Sequence, residues 1–250
     1  MINQTIGKLH EMKLDGMADS IKEQIQNPQA LSLSFEDRIA LVVDRQWDLK
    51  ETRGLRRRLQ VAKLKHQAAV EDIDFATSRG LDKAAMLSLS ECNFIRSHSN
   101  IIITGPTGVG KTYIACAIAH KACRMKHAVR YFRCGNLLSS MSLARADGSY
   151  PSFMRRLEKI DVLVIDDWGM YPLDQEAARD IFEVLEDRSQ AGSVIIVSQV
   201  PIANWYDIIA APTIADAILD RLVHNAYRIE MKGESMRKKQ KPMLSEGVPD

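Results

Sequence analysis

The sequence predicts an α/β fold, a parallel sheet flanked by helices and preceded by a small all-helical segment. Three observations predict it. From residue 100 onward, short apolar runs alternate with stretches of helical periodicity, the pattern of parallel strands joined by crossover helices. One of these runs, at 101–104, breaks straight into the glycine-rich turn GPTGVGKT and then into a helical pattern. Another, VLVIDD at 162–167, ends in two acids. Open α/β sheets bind ligands outside the carboxyl ends of their strands, which puts the turn and the acids on one edge.

Composition sets wide bounds. The 250 residues suffice for one large domain, or for one domain with a smaller appendage. A hydrophobic share of 46% and a charged share of 26% are those of a soluble globular chain. No run reaches the roughly 18 apolar residues of a membrane span, and MINQTIGKLHEMKLDG lacks the apolar centre of a signal peptide. No membrane partner is therefore expected, and the expected location is cytoplasmic. Cys92, Cys116, Cys123 and Cys134 show no C-x-x-C spacing, so buried, inert thiols are expected rather than zinc ligands or disulfides. A net charge of +2 says little about partners.

Residues 6–25 place Leu9, Met12, Leu14, Met17, Ile21 and Ile25 near helical spacing, ended by Asn27-Pro28. Ser34 ahead of Phe35, Glu36 and Asp37 reads as an N-cap with an acidic first turn, opening a long helix through Trp47. At 51–66, Arg53, Arg56, Arg57, Arg58, Lys63 and Lys65 stand against the single acid Glu51. Such a cluster suits salt-sensitive contacts to a phosphate backbone, and equally a solvated helix face. Residues 71–100 form the join: an extended piece, a stop at Gly80 and a helical pattern from Asp82. Phe75 there is placed either against a nucleotide base or in the core.

The turn at 105–112 reads G-x-x-x-x-G-K-[ST] through Gly105, Pro106, Thr107, Gly108, Val109, Gly110, Lys111 and Thr112. Glycines at 105, 108 and 110 permit backbone angles that a Cβ forbids, so successive N–H groups can wrap a phosphate. The helix that opens at Lys111 adds its positive end, Lys111 reaches the β- and γ-phosphates, and the Thr112 hydroxyl can ligate Mg²⁺. Tyr113 follows on the same first turn. This is the expected seat of a nucleoside triphosphate.

Helix at 113–126, strand at 128–132, helices at 136–145 and 150–159 and the acidic strand follow in turn. At that strand's carboxyl end Asp166 is expected to hold Mg²⁺, and Asp167 to orient the attacking water as general base. A helix at 174–190 leads to the strand SVIIVS, which ends in Ser198-Gln199. Either polar residue is placed to position water, or simply to end a strand. TIADAILDRLVHN at 213–225 is an amphipathic helix carrying Arg221, followed by a last strand at 227–230. Arg221 is read either as a residue that reaches a neighbouring subunit's γ-phosphate or as half of a surface salt bridge. Arg237, Lys238, Lys239 and Lys241 make the tail basic, for contact with DNA or with solvent.

With GPTGVGKTYIA, VLVIDDWG, VIIVSQVPIANWYD, ILDRLVHNAYRIEMKGESMRK and DFATSRGLDK read in this order, the chain resembles IstB-like transposition helper ATPases, in the DnaC-like helicase-loader clade of AAA+ proteins. The glycine turn and acidic strand specify only the P-loop superfamily. DDWG, SQVP, DRLVHNA and KGESMRK specify the clade. The resemblance covers residues 12–243 and implies a helical N-terminal domain over 1–68 and, over 69–250, an AAA+ ATPase core with a five-stranded parallel sheet. It also implies ATP and Mg²⁺ as cofactors, ring or spiral assembly of identical chains on double-stranded DNA, and delivery of that DNA to a partner transposase. By motif match, Gln199 or Ser198 takes the sensor-1 place, Arg221 the arginine-finger place and Arg237 the sensor-2 place. Most AAA+ ATPases follow the first acid with Glu; here the second is the shorter Asp167.

A replicative helicase loader of the DnaC type is the alternative, since its motor would read alike. Some loaders carry a cysteine-rich zinc module at the N-terminus, whereas this chain has no cysteine before Cys92. A small-molecule kinase would need an acceptor pocket and an arginine-rich lid, neither of which the sequence shows. A DNA-binding scaffold without turnover would have no use for paired acids.

Overall fold

The computed structural model describes residues 2–77 and 79–236, the side chain of Leu31 excepted. Contacts divide the chain into two compact units, Met1–Arg57 and Arg58–Asp250.

The first unit is helical. In place of one helix over 6–25 there are two, α1 (Ile2–Glu11) and α2 (Asp15–Gln26). Lys13 stands between them in the left-handed region, at φ 61°. The N–H groups of Lys13 and Leu14 turn back to the carbonyls of His10 and Leu9 at 2.9 and 2.8 Å, the paired bonds of a Schellman ending. Glycine usually marks that position, so a lysine there leaves the break invisible in the apolar spacing. Helix α3 (Phe35–Ala62) opens as expected: the Ser34 hydroxyl accepts from the Asp37 N–H at 3.1 Å and donates to its carboxylate at 2.8 Å. Near its other end Arg53 pairs with Asp15 at 2.9 Å.

The second unit begins in the last turn of α3, where Arg58 donates to the Cys123 carbonyl at 2.8 Å. Helix α4 (Lys83–Ser90) is capped by Asp82, which accepts from the N–H groups of Ala84 and Ala85. After α5 (Asn93–Arg96) come β1 (Asn100–Thr104), α6 (Lys111–Arg124), β2 (Val129–Arg133), α7 (Cys134–Ala146) and α8 (Tyr150–Glu158). The remainder is β3 (Val162–Trp168), α9 (Gln175–Arg188), β4 (Ser193–Ser198), α10 (Trp205–Ile208), α11 (Pro212–Val223) and β5 (Ala226–Glu230).

All five strands run parallel in the order β2-β3-β4-β1-β5, the predicted sheet. Strand β1 is buried along its whole length, which is why it reads as a continuous apolar run instead of alternating. Ile102, Leu163, Ile165 and Ile196 pack with Leu137, Ile181 and Ile218 of α7, α9 and α11. Alternation along each strand turns Ile101, Ile103, Val164 and Val197 to the opposite face, where α6 packs. Burying the two faces drives the unit's folding, at about 25 cal/mol for each Å² of apolar surface removed from water.

Register then sets the working edge. Thr104 lies beside Ser198, and Arg133 beside Asp166, so four strand ends and the turn after β1 share one rim. Between Ile165 and Trp168 the pairing of β3 with β4 shifts, and Asp167 takes φ 59°. A bulge of this kind re-aims the side chains at a strand's end.

Candidate functional site

The glycine turn connects β1 to α6 and has the backbone its sequence demands. Gly105, Gly108 and Gly110 stand at φ 145°, 87° and 101°, a region that side chains disfavour. The chain after β5 runs beside the turn: the Met231 N–H donates to the Thr104 carbonyl at 2.7 Å and the Met236 N–H to the Gly108 carbonyl at 2.9 Å. Behind it, buried Arg79 donates to the Val109 carbonyl at 3.2 Å. These contacts brace the turn, and Arg79 and Met236 line one cavity with Gly108 and Gly110.

That cavity, of about 510 Å³, is lined by Lys111, Thr112, Tyr113, Asp166, Asp167 and Gln199 among others. Residues remote in sequence meet in it. The Thr112 hydroxyl donates to Asp166 Oδ2 at 3.0 Å, joining the helix after the turn to the acidic strand. Asp166, only 1% exposed, also accepts from the Tyr131 hydroxyl at 2.7 Å and from the Asp167 N–H at 2.8 Å. Burial and the bond to Asp166 push the Tyr131 phenol far up, so it stays a donor. Lys111 folds back over the turn and donates to the Pro106 carbonyl at 2.8 Å. Burial pushes its pKa down, with Asp166 and Asp167 opposing. A cation held short of full solvation beside a glycine turn of this conformation suits a polyphosphate.

The adjacent candidates on β4 part company. The Ser198 hydroxyl lies 2.8 and 3.1 Å from the carbonyls of Trp168 and Val200 and accepts from the Val200 N–H, so it ties strand ends together. Gln199 reaches the turn, where its carbonyl oxygen accepts from the Thr107 hydroxyl at 2.6 Å. Asp167 sits 3.6 Å from Arg133 and is 28% exposed. Arg221 is elsewhere. On α11 it pairs with Glu186 of α9 and lies 4.8 Å over the Phe182 ring, off the cavity wall of its own chain. Arg237, Lys238, Lys239 and Lys241 lie outside the described residues.

Several wall residues carry no sequence signal of their own. Lys65, His66, Asp72, Asp74 and Arg79 come from the segment before β1. Arg79 sits within DFATSRGLDK, so the stretch carries a signal that the single residue does not. The rings on the wall are Tyr113 and His66, with centroids 6.5 Å apart, and not Phe75, which is half-buried away from it. The four cysteines are buried and unpaired, and no described helix is long and apolar enough to cross a membrane.

The donor set suits a metal nucleotide. A hydroxyl and a carboxylate offer hard oxygen ligands of the kind Mg²⁺ takes, beside a turn whose glycines hold backbone angles that a Cβ disfavours.

A family model for IstB-like ATP binding proteins matches residues 7–243. An insertion sequence ATP-binding protein of Sinorhizobium fredii is 45% identical over 241 residues, covering 96% of this chain and 98% of that one. One from Mycobacterium tuberculosis is 31% identical over 235 residues, 94% of each chain. Among solved structures, AMPPCP-bound DnaA from Aquifex aeolicus shares the fold with a TM-score of 0.56 at 17% identity, over 67% of this chain and 51% of that one. The DnaC helicase loader matches with a TM-score of 0.54 at 16% identity, over 68% of this chain and 100% of that one. The second unit thus has the P-loop AAA+ fold, and the chain belongs to the family of IstB-like ATP binding proteins.

Proposed function

We propose that the chain is an Mg²⁺-dependent ATPase that assembles with further copies of itself on double-stranded DNA and delivers that DNA to the transposase of an insertion sequence. The observation that carries the reading is the 3.0 Å contact between Thr112 and Asp166 at the mouth of the glycine turn, in a member of this family. Inward N–H groups from Gly105 to Tyr113 hold the phosphates, and Lys111 turns from Pro106 to the β- and γ-oxygens. Thr112 and Asp166 would hold Mg²⁺, which would supply neutralisation of phosphate charge. Asp167 accepts the proton of the attacking water and Gln199, already anchored on Thr107, positions that water.

Arg221 acts on the site of a neighbouring copy, where its guanidinium balances charge developing on the γ-phosphate. Nucleotide then favours the assembled state, and hydrolysis removes that support. The helical segment over 1–68 contributes DNA or partner contacts and 69–250 the motor. Insertion-sequence names on relatives at 45% and 42% identity favour a transposase over a replicative helicase as the partner. Lys111→Ala tests the reading directly: on long duplex DNA with a non-hydrolysable ATP analogue, electron microscopy should show assemblies for the native chain and none for the variant. Equal assembly by both would overturn it.

A further inference from the structure

We propose that Lys65 is the internal counter-ion of Asp166, which the site's divalent cation must displace, so that this lysine sets how much Mg²⁺ nucleotide loading requires. The inference rests on the nucleotide reading of the cavity. A carboxylate as buried as Asp166 is costly without a compensating charge. Its hydrogen-bond donors, Thr112, Tyr131 and the Asp167 N–H, are all neutral. Lys111, the obvious cation, is bonded to Pro106. Among the described residues, the ammonium in an ion pair with it is that of Lys65, 3.7 Å from Oδ2, with its side chain 28% exposed.

That distance is an ion pair without a close hydrogen bond, on a long stem that still meets water, so it can be given up. The next residue is placed against α6, where the His66 ring lies 6.5 Å from that of Tyr113. Asp166 therefore binds a cation already, at the oxygen that also accepts from Thr112. When Thr112 and Asp166 take a metal ion, that carboxylate faces two cations whose repulsion at such range is strong, and the tethered ammonium on the freer stem gives way. Lys65 lies three residues beyond the end of α3 at Ala62.

The test is binding of a fluorescent, non-hydrolysable ATP analogue to the full chain, with Mg²⁺ titrated from EDTA upward, for the native protein, Lys65→Met, Lys65→Gln and Lys65→Arg. With either neutral variant the half-saturating Mg²⁺ should fall about tenfold while affinity in EDTA stays within about twofold, and Lys65→Arg should follow the native curve. Two neutral variants guard against a folding defect in one, checked by circular dichroism. An unchanged Mg²⁺ midpoint would show the pair to be incidental. An equal loss of affinity with and without Mg²⁺ would make Lys65 a phosphate ligand. Either result overturns the proposal. If the native protein binds no nucleotide in any condition, the nucleotide reading itself fails, a result distinct from both.

Discussion

Asp167 holds φ 59°, a conformation that asparagine and aspartate tolerate better than other side chains. Asp167→Asn therefore keeps the bulge and removes only the charge. If Asp167 is the general base, nucleotide affinity should stay within about threefold while turnover falls by roughly 10²–10⁴, read from equilibrium binding and phosphate release. A parallel fall in both would make it a structural residue. Single residues also show where the sequence was legible. Lys111, Thr112 and Asp166 could be read because their chemistry demands those types at the end of a strand and the start of a helix. Ser198 and Gln199 could not be told apart: neighbours on a strand point to opposite faces, and the sequence does not say which face meets the turn. Lys65 was legible only as one more charge in a basic run, since its partner Asp166 lies 101 residues further along the chain.

Among the elements, all five strands were legible, β1, β3 and β4 as short apolar runs and β2 and β5 as short stretches between helical patterns that carry Tyr131, Phe132, Tyr227 and Ile229. The break at Lys13 and the bulge at Asp167 were not, because each rests on a positive φ at a residue other than glycine. Glycine positions make the same point testable. Gly105→Ala would need φ 145° and would put a methyl 2.2 Å from a backbone oxygen. It should cost more than about 2 kcal/mol in urea unfolding of the intact chain. At Gly135, in the first turn of α7, a methyl would meet nothing within 4 Å, so Gly135→Ala should be neutral or stabilising by up to about 1 kcal/mol. Equal effects at the two sites would mean that the strap after β5 does not press on the turn.

At the scale of the whole molecule, the parallel sheet was legible from alternation alone, whereas the arginine assignment depends on a second copy. Arg221 is paired with Glu186, whose carboxyl it holds below the usual carboxylate range, and it does not line its own chain's cavity. Two roles remain physically distinct: a bridge between α11 and α9, or a cation delivered to a neighbour. Mixing variants separates them. Asp167→Asn, which keeps nucleotide binding and so assembly, disables the site a chain owns, and Arg221→Ala disables the group it lends. Each alone should lack hydrolysis. In a head-to-tail assembly of the two mixed in equal amounts, about a quarter of interfaces join an intact site to an intact arginine, and phosphate release should reappear at about that fraction of the native rate. A bridge confined to one chain gives no recovery on mixing, and Arg221→Ala should then lower the unfolding midpoint instead, because Glu186 and the Phe182 face lose their partner.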